Sequence, residues 1–548
     1  MRILNTVVTS LGLAAAAAGA LAAQQAHQHQ GEQLGRVHFP VACGAQVRPR
    51  FERGVALLHS FGYEKAADAF RDVVAADSTC AMGYWGQAMA ILHPLWTPPS
   101  QTDLAAGLAA AERGLALATT PRERDYLAAI RAYYADYASR DPKARLVAYA
   151  EAMGGVQRRN PRDGEAAIFY ALALIAVGQA NPTDTTFANQ KRADSILEPL
   201  FKAQPAHPGL AHYLIHTNDV PELAHLGLYA ARRYAGIAPD VPHAQHMPSH
   251  IFTRLGLWDE AIASNARSAE AARRFEEERH LEALWDQHGH AWDYLVYAYL
   301  QTGRDGAAKR ILDEAAGVTA VYPEASLTNA YALAAIPARY ALERGRWNEA
   351  TRLAVRPAPE WRAAEAITHF ARALGAARAG DTALARGEIA RLGEIEQALA
   401  AAGEPQAYWS GQVRIQRLVA TAWVRRAAGD TALALREAAA AADLEDVTQK
   451  HPVTPGAVLP ARELLGDLLL ALGRPAEAAR AYQQALRQAP RRARSIFGLA
   501  TAAQQADDSA TARTAYRQYL KLMAHGDGDR PELAIARSAL AGRQPARP

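Results

Sequence analysis

The chain has 548 residues, half of them hydrophobic and 21% charged, with a formal net charge of +4. That balance excludes wholesale disorder, and it supplies no concentrated basic stripe of the kind nucleic-acid binders carry, so no nucleic-acid partner is expected. Two cysteines exclude a disulfide-built scaffold and a thiolate-rich metal protein.

The first segment, MRILNTVVTSLGLAAAAAGALAAQQ, reads as a secretory signal peptide over residues 1–22. Arg2 supplies the positive start, Val7 to Ala18 the apolar core, and Ala20-Leu21-Ala22 a small-x-small cleavage site. The competing reading is an N-terminal membrane anchor, for which the apolar run is short. No later segment is apolar for 18 residues, so no integral membrane segment is expected after processing. The expected location is periplasmic or secreted. Export favours pairing of Cys43 with Cys80, which would tie an N-terminal strap (23–50) to the second helical hairpin; two separate buried thiols are the alternative.

From residue 51 onward, apolar residues return at three- and four-residue spacing, the helical period. FERGVALLHSFGYEKAADAF (51–70) is the first such hairpin, with Tyr63 and Ala66 opening its second helix. Irregular stretches near 94–104, 178–190 and 236–245 suggest joints or loops over a groove. SHIFTRLGLWDEAIASNARSAEAA (249–272) turns at Gly256, and DYLVYAYLQTGRDGAAKRILDEAA (293–316) turns at Gly303. YALERGRWNEA (340–350) adds another turn, and 365–395 and 412–440 fit loosely around Gly380-Asp381 and Gly429-Asp430. Residues 459–490 show the pattern best. Small Gly466, Ala478 and Ala485 alternate with large Leu465, Leu469 and Tyr482 around a Gly473-Arg474-Pro475 break.

This helical hairpin resembles a tetratricopeptide repeat, and about ten such units cover nearly the whole mature chain. The resemblance implies an all-α, right-handed α-solenoid, each repeat burying a face of its neighbour. We divide it into N-terminal repeats (51–200), histidine-rich central repeats (201–320), C-terminal repeats (321–526) and a tail or terminal helix (527–548). CAMGYWGQAMAILHPLW (80–96), HPGLAHYLIHTND (207–219) and HMPSHIFTRLGLWDEA also resemble segments of a group of exported bacterial tetratricopeptide proteins. That likeness supports the fold and attaches no reaction. Tetratricopeptide domains in general dock protein segments.

Ten of the 18 histidines lie between His207 and His290. His212 and His216 are four apart, as are His246 and His250, with His243 three before His246. Such spacing places each set on one helical face. The repeat register implied by the resemblance turns His216, His243, His246, His250, His290, Asp293 and Tyr297 toward the concave groove, with His212 off-phase. The candidate metal ligands are therefore His212, His216, His243, His246, His250 and His290. Asp293 is a further candidate ligand or general base, and Tyr297, Tyr294 and Tyr213 are candidate proton donors, ligands or redox side chains. Imidazole-rich sets bind Cu, Fe, Zn or Ni; nitrogen ligation beside tyrosine favours Cu or Fe, with Zn an option. More than four ligands leave room for two ions, or for one ion beside catalytic histidines.

His207, His225 and His280 are weaker candidates, and isolated His59 and His93 weaker again; His93-Pro94-Leu95-Trp96 would cap the groove's end. Trp258 and Trp347 recur at hairpin turns and read as core. HExxH, CxxCH, GxxxxGK and GxSxG are all absent. Three functions stand at this point. One is a metal-dependent enzyme, oxidoreductase before hydrolase, acting on a small molecule or peptide. Another is a scaffold that binds a peptide or envelope protein and whose histidines only shape the groove. The last is a hydrolase using His and Asp without metal.

Overall fold

A computed structural model describes residues 32–95, 98–356, 358–403 and 406–542. The proposed signal peptide, Trp96 and residues 543–548 lie outside them. Within the described residues the chain is an all-α helical-repeat solenoid, in which consecutive helices pair and each pair packs on the next. Two two-residue strands, Leu284–Trp285 and Val321–Tyr322, form one short parallel pair. No helix there is long and apolar enough to cross a membrane.

Local chemistry explains the element ends. Pro208, Pro242 and Pro248 each open a helix, where a missing N–H costs nothing. The turns at Gly256, Gly303, Gly380, Gly429 and Gly473 have positive φ, as the sequence suggested. Small residues lie where helices cross closely. A Cβ at Gly466 or Gly498 would come within 3.0 Å of the Tyr482 ring.

The strap crosses several hairpins in extended form. Phe39 packs among Phe51, Trp85, Tyr126 and Phe169, and Ala42 N–H donates to Glu123 at 2.7 Å. A disulfide joins Cys43 to Cys80, the residue that precedes the Ala81–Leu92 helix.

The solenoid departs from the neighbour-only expectation at both ends: its first hairpin meets the centre, as where Arg279 pairs with Asp68, and its C-terminal part returns onto that centre. At Gly256 the left-handed turn brings Pro490 so close that a Cβ would sit 2.4 Å from its carbonyl oxygen. Trp258 Nε1–H donates to the Arg491 carbonyl at 2.9 Å. Arg492 is wholly buried; it pairs with Glu463 and Glu343 and donates to the Tyr297 hydroxyl at 2.9 Å. The irregular 447–460 segment, which the repeat pattern left unassigned, runs into the hollow of the central repeats. There Arg339 holds it through Thr454 Oγ1, the Gly456 carbonyl and the Ala457 carbonyl. Gln449 N–H also donates to the Pro182 carbonyl, so the 178–190 insert meets this segment at the groove's edge.

Candidate metal centre

Three short elements carry the histidines. In the Pro208–Asn218 helix, His207 is the N-cap and accepts the Leu210 N–H, Pro208 opens the first turn, and Gly209 admits His59. A Cβ at Gly209 would sit 2.5 Å from His59 Nδ1. His212 and His216 follow one turn apart. Pro248 divides the next element into Pro242–His246 and Pro248–Arg254, yet Met247 keeps helical dihedrals, so His243, His246 and His250 stay on one stripe. His290 comes from the Asp286–Gln301 helix.

These elements bring all six predicted ligands together. His212, His216 and His243 form one triad, and His246, His250 and His290 another; within each, one nitrogen per ring lies within 4.8 Å of the others. The triads abut: the His216 and His250 rings are 5.9 Å apart and those of His243 and His246 are 6.0 Å apart. All six side chains are buried. His212, off-phase by the register count, is fully part of the set.

The hydrogen bonds around the rings determine their tautomers. His212 Nδ1–H donates to the His59 carbonyl (2.6 Å) and His246 Nδ1–H to Asn265 Oδ1 (2.6 Å). Asn265 cannot be flipped without cost, because its Nδ2 donates to the Ala261 carbonyl at 2.8 Å. His250 Nδ1–H donates to the Asp219 carboxylate (2.8 Å), and His243 Nδ1 faces Gln287 Oε1 at 3.2 Å. With the proton on Nδ1, Nε2 carries a lone pair. Two Nε2 pairs face each other, His212 with His243 at 3.2 Å and His246 with His250 at 3.0 Å. Facing lone pairs repel unless a cation lies between them. Protons are disfavoured: burial, then neighbouring histidines, hold His212, His216 and His246 well below the ordinary range, and burial pushes His243 down to about 3. Metal–nitrogen bonds of about 2.0–2.1 Å put tetrahedral ligand atoms about 3.3–3.4 Å apart, close to these separations.

Asp219 adjoins the second triad, and sequence reasoning missed it. Besides His250 it accepts Arg254 Nε at 2.9 Å and Lys450 Nζ at 2.9 Å. Burial opposes its charge, but Lys450, Arg254 and His250 hold its pKa well below the usual carboxylate range. A carboxylate on the far nitrogen of a metal-binding imidazole orients the ring and raises its basicity. HTND supplied the only local signal, an acid three residues after His216. Of the three candidate tyrosines, Tyr294 is the one beside the triads: its hydroxyl lies 3.3 Å from His250 Nε2 and donates to the Thr454 carbonyl at 3.1 Å.

Three candidates do not join the triads. Asp293 is paired with Arg339 Nε at 2.9 Å, because the buried guanidinium is its nearest countercharge. Tyr297 accepts from Arg492, and Tyr213 donates to His59 Nδ1 at 3.0 Å. His59 and His207 belong to a third group around Glu165, whose two oxygens accept one imidazole N–H each at 2.9 Å. Every nitrogen of this group has a protein partner, so it closes on itself by hydrogen bonding alone. His225 and His280 are exposed. His93 packs on Tyr63, with ring centres 4.0 Å apart.

A cavity of about 480 Å³ opens beside the first triad, lined in part by His216, Asp219, Tyr408, Trp409 and Lys450.

No family model and no curated protein sequence matches the chain. Among solved structures, yeast Tom70 aligns over 91% of this chain and 96% of its own at 11% identity and a TM-score of 0.35. The human IFIT1 dimer with PPP-AAAA aligns over 80% of this chain and 89% of its own, at 12% identity and a TM-score of 0.35. Likeness at that level carries no argument about what this chain does.

Proposed function

We propose that this chain is an exported metal-dependent enzyme with a two-ion histidine centre, one ion per triad, and that it is an oxidoreductase. The observation that supports the reading most is the pair of facing Nε2 atoms, each backed by an Nδ1–H committed to an oxygen. Neutral, buried, pre-oriented imidazoles suit a transition metal. Three protein ligands per ion leave a position for a reactant, as in catalytic rather than structural sites. Imidazole ligation suits copper, iron, zinc or nickel; the Tyr294 hydroxyl beside His250 inclines the reading to copper or iron, and two adjacent redox ions suit a two-electron oxidation with dioxygen as acceptor. His212, His216 and His243 would hold one ion; His246, His250 and His290 the other. Asp219 and Asn265 would keep their rings aimed, and Tyr294 would place a hydroxyl beside His250. The 447–460 segment and the surrounding side chains exclude water. Location outside the cytoplasm rests on the leader segment and the Cys43–Cys80 disulfide.

The test is elemental analysis of protein purified without a histidine tag, alongside a His246→Ala/His250→Ala variant. We expect two copper or iron ions per chain, with at least one lost in the variant. Less than a fifth of an ion per chain after metal supplementation, with no change in melting temperature on chelation, would overturn the reading in favour of a scaffold. Oxidase or hydrolase turnover surviving complete chelation would point instead to metal-free chemistry.

A further inference from the structure

The cavity beside the first triad has its own chemistry. At about 480 Å³ it lies within the rough 300–1,000 Å³ range of small-molecule sites. Its walls include the aromatic rings of Tyr133, Tyr408 and Trp409. Aromatic side chains at these positions favour a flat, apolar ligand over a flexible aliphatic one.

The charge on its wall is unbalanced. Asp219 is the sole carboxylate lining the cavity among the described residues, and it serves two full cations, Arg254 and Lys450. Among those residues no other carboxylate lies within ion-pair distance of either. One negative charge against these two positive ones leaves a surplus of one, and Lys143, also on the wall, adds to it; Lys450 lines the cavity with its side chain only 10% exposed. A largely buried surplus charge is costly unless an anion balances it. A second observation points the same way. His216, 7% exposed, also lines the cavity, and its Nε2 has no hydrogen-bond partner. His216 is thus the one member of the first triad that borders this space.

We propose that this cavity is the binding site for a small aromatic anion, an aryl carboxylate or phenolate, whose negative group pairs with Lys450 and whose ring lies among Tyr133, Tyr408 and Trp409. Calling that ligand the substrate rests on the metal-centre reading; its binding does not. With its anionic group at Lys450, the ligand stands on the same wall as Asp219 and His216.

The test is isothermal titration of the full chain with 4-hydroxybenzoate, benzoate, benzyl alcohol and acetate, with metal as isolated and after stripping. Benzoate and 4-hydroxybenzoate should bind at least tenfold tighter than neutral benzyl alcohol and non-aromatic acetate. Lys450→Met should abolish the preference for the anion, and Lys450→Arg should keep it. Trp409→Leu should weaken both aryl anions about tenfold. Equal affinity for benzoate and benzyl alcohol in the unmodified chain overturns the proposal without recourse to any variant. So does an absence of binding at millimolar benzoate. Binding that survives metal stripping leaves this inference standing even if the metal reading fails. Two bound ions without aryl-anion binding overturn this inference and leave the metal reading in place.

Discussion

Asp219→Asn is the most informative single change, because the carboxylate holds together three things: a ligand imidazole, Arg254 and Lys450. It accepts His250 Nδ1–H at 2.8 Å, Arg254 Nε–H at 2.9 Å and Lys450 Nζ–H at 2.9 Å, with the side chain 7% exposed. The amide keeps the volume but removes the charge and turns one acceptor into a donor. Breaking a buried pair by removing one partner costs about 3–5 kcal/mol, and here two cations lose their counterion at once. The metal-free protein should therefore lose about 3–5 kcal/mol in urea unfolding. Loss of the carboxylate behind a ligand histidine weakens metal binding about 10–100-fold, or about 1.4–2.7 kcal/mol. The metal-loaded protein should lose that amount in addition, and the difference should appear independently in a chelator competition titration. If the metal-free variant loses less than about 1 kcal/mol and its metal affinity is unchanged, the reasoning about Asp219 is wrong on both counts.

Three further changes probe other parts of the molecule. Gly256→Ala adds a Cβ at φ +65°, 2.4 Å from the Pro490 carbonyl oxygen, and should cost about 2–4 kcal/mol from backbone strain and overpacking, read as a lower urea midpoint with m nearly constant; a loss of a few tenths would show that the C-terminal repeats do not dock there. Removing the Cys43–Cys80 bridge, which closes a loop with sequence separation 37, should cost about 4 kcal/mol in the chain-entropy account. A double Cys→Ala protein that melts with the oxidised parent contradicts that. Burial, with the Asp446 and Glu463 charges, pushes the Glu445 carboxyl up to about 8, although the Ala461 N–H bond opposes the shift. Between the unfolded value of 4.5 and about 8 the native state holds the extra proton, so stability should fall as pH rises through that window, by at most about 1.4 kcal/mol per pH unit. Glu445→Gln should flatten that slope in urea titrations at pH 5, 6.5 and 8; identical slopes would place Glu445 in contact with water.

What the sequence by itself determined about this protein is everything that a single helix or turn decides. Helical period, the glycine turns, proline at first turns and the i, i+4 placement of His212 with His216 and of His246 with His250 are local, set by 3.6 residues per turn and by allowed backbone dihedrals. With two cysteines and an exported reading, the Cys43–Cys80 pair was also legible. The repeat register went further and aimed His243, His246, His250 and His290 at one region, and in the structure their side chains lie in two adjoining clusters. Only the tertiary structure decided what those side chains meet there. Asp293 and Tyr297 share the helix of His290, yet buried Arg339 and Arg492 engage them, because arginines from 46 and 195 residues away reach that helix first. His59 looked isolated because its partners, Glu165 and His207, stand on other repeats. Lys450 reaches Asp219 across 231 residues by way of an irregular segment with no helical period to read. Superhelical packing and that return of the chain depend on side-chain volumes and charges summed over many repeats, and no local pattern encodes such a sum.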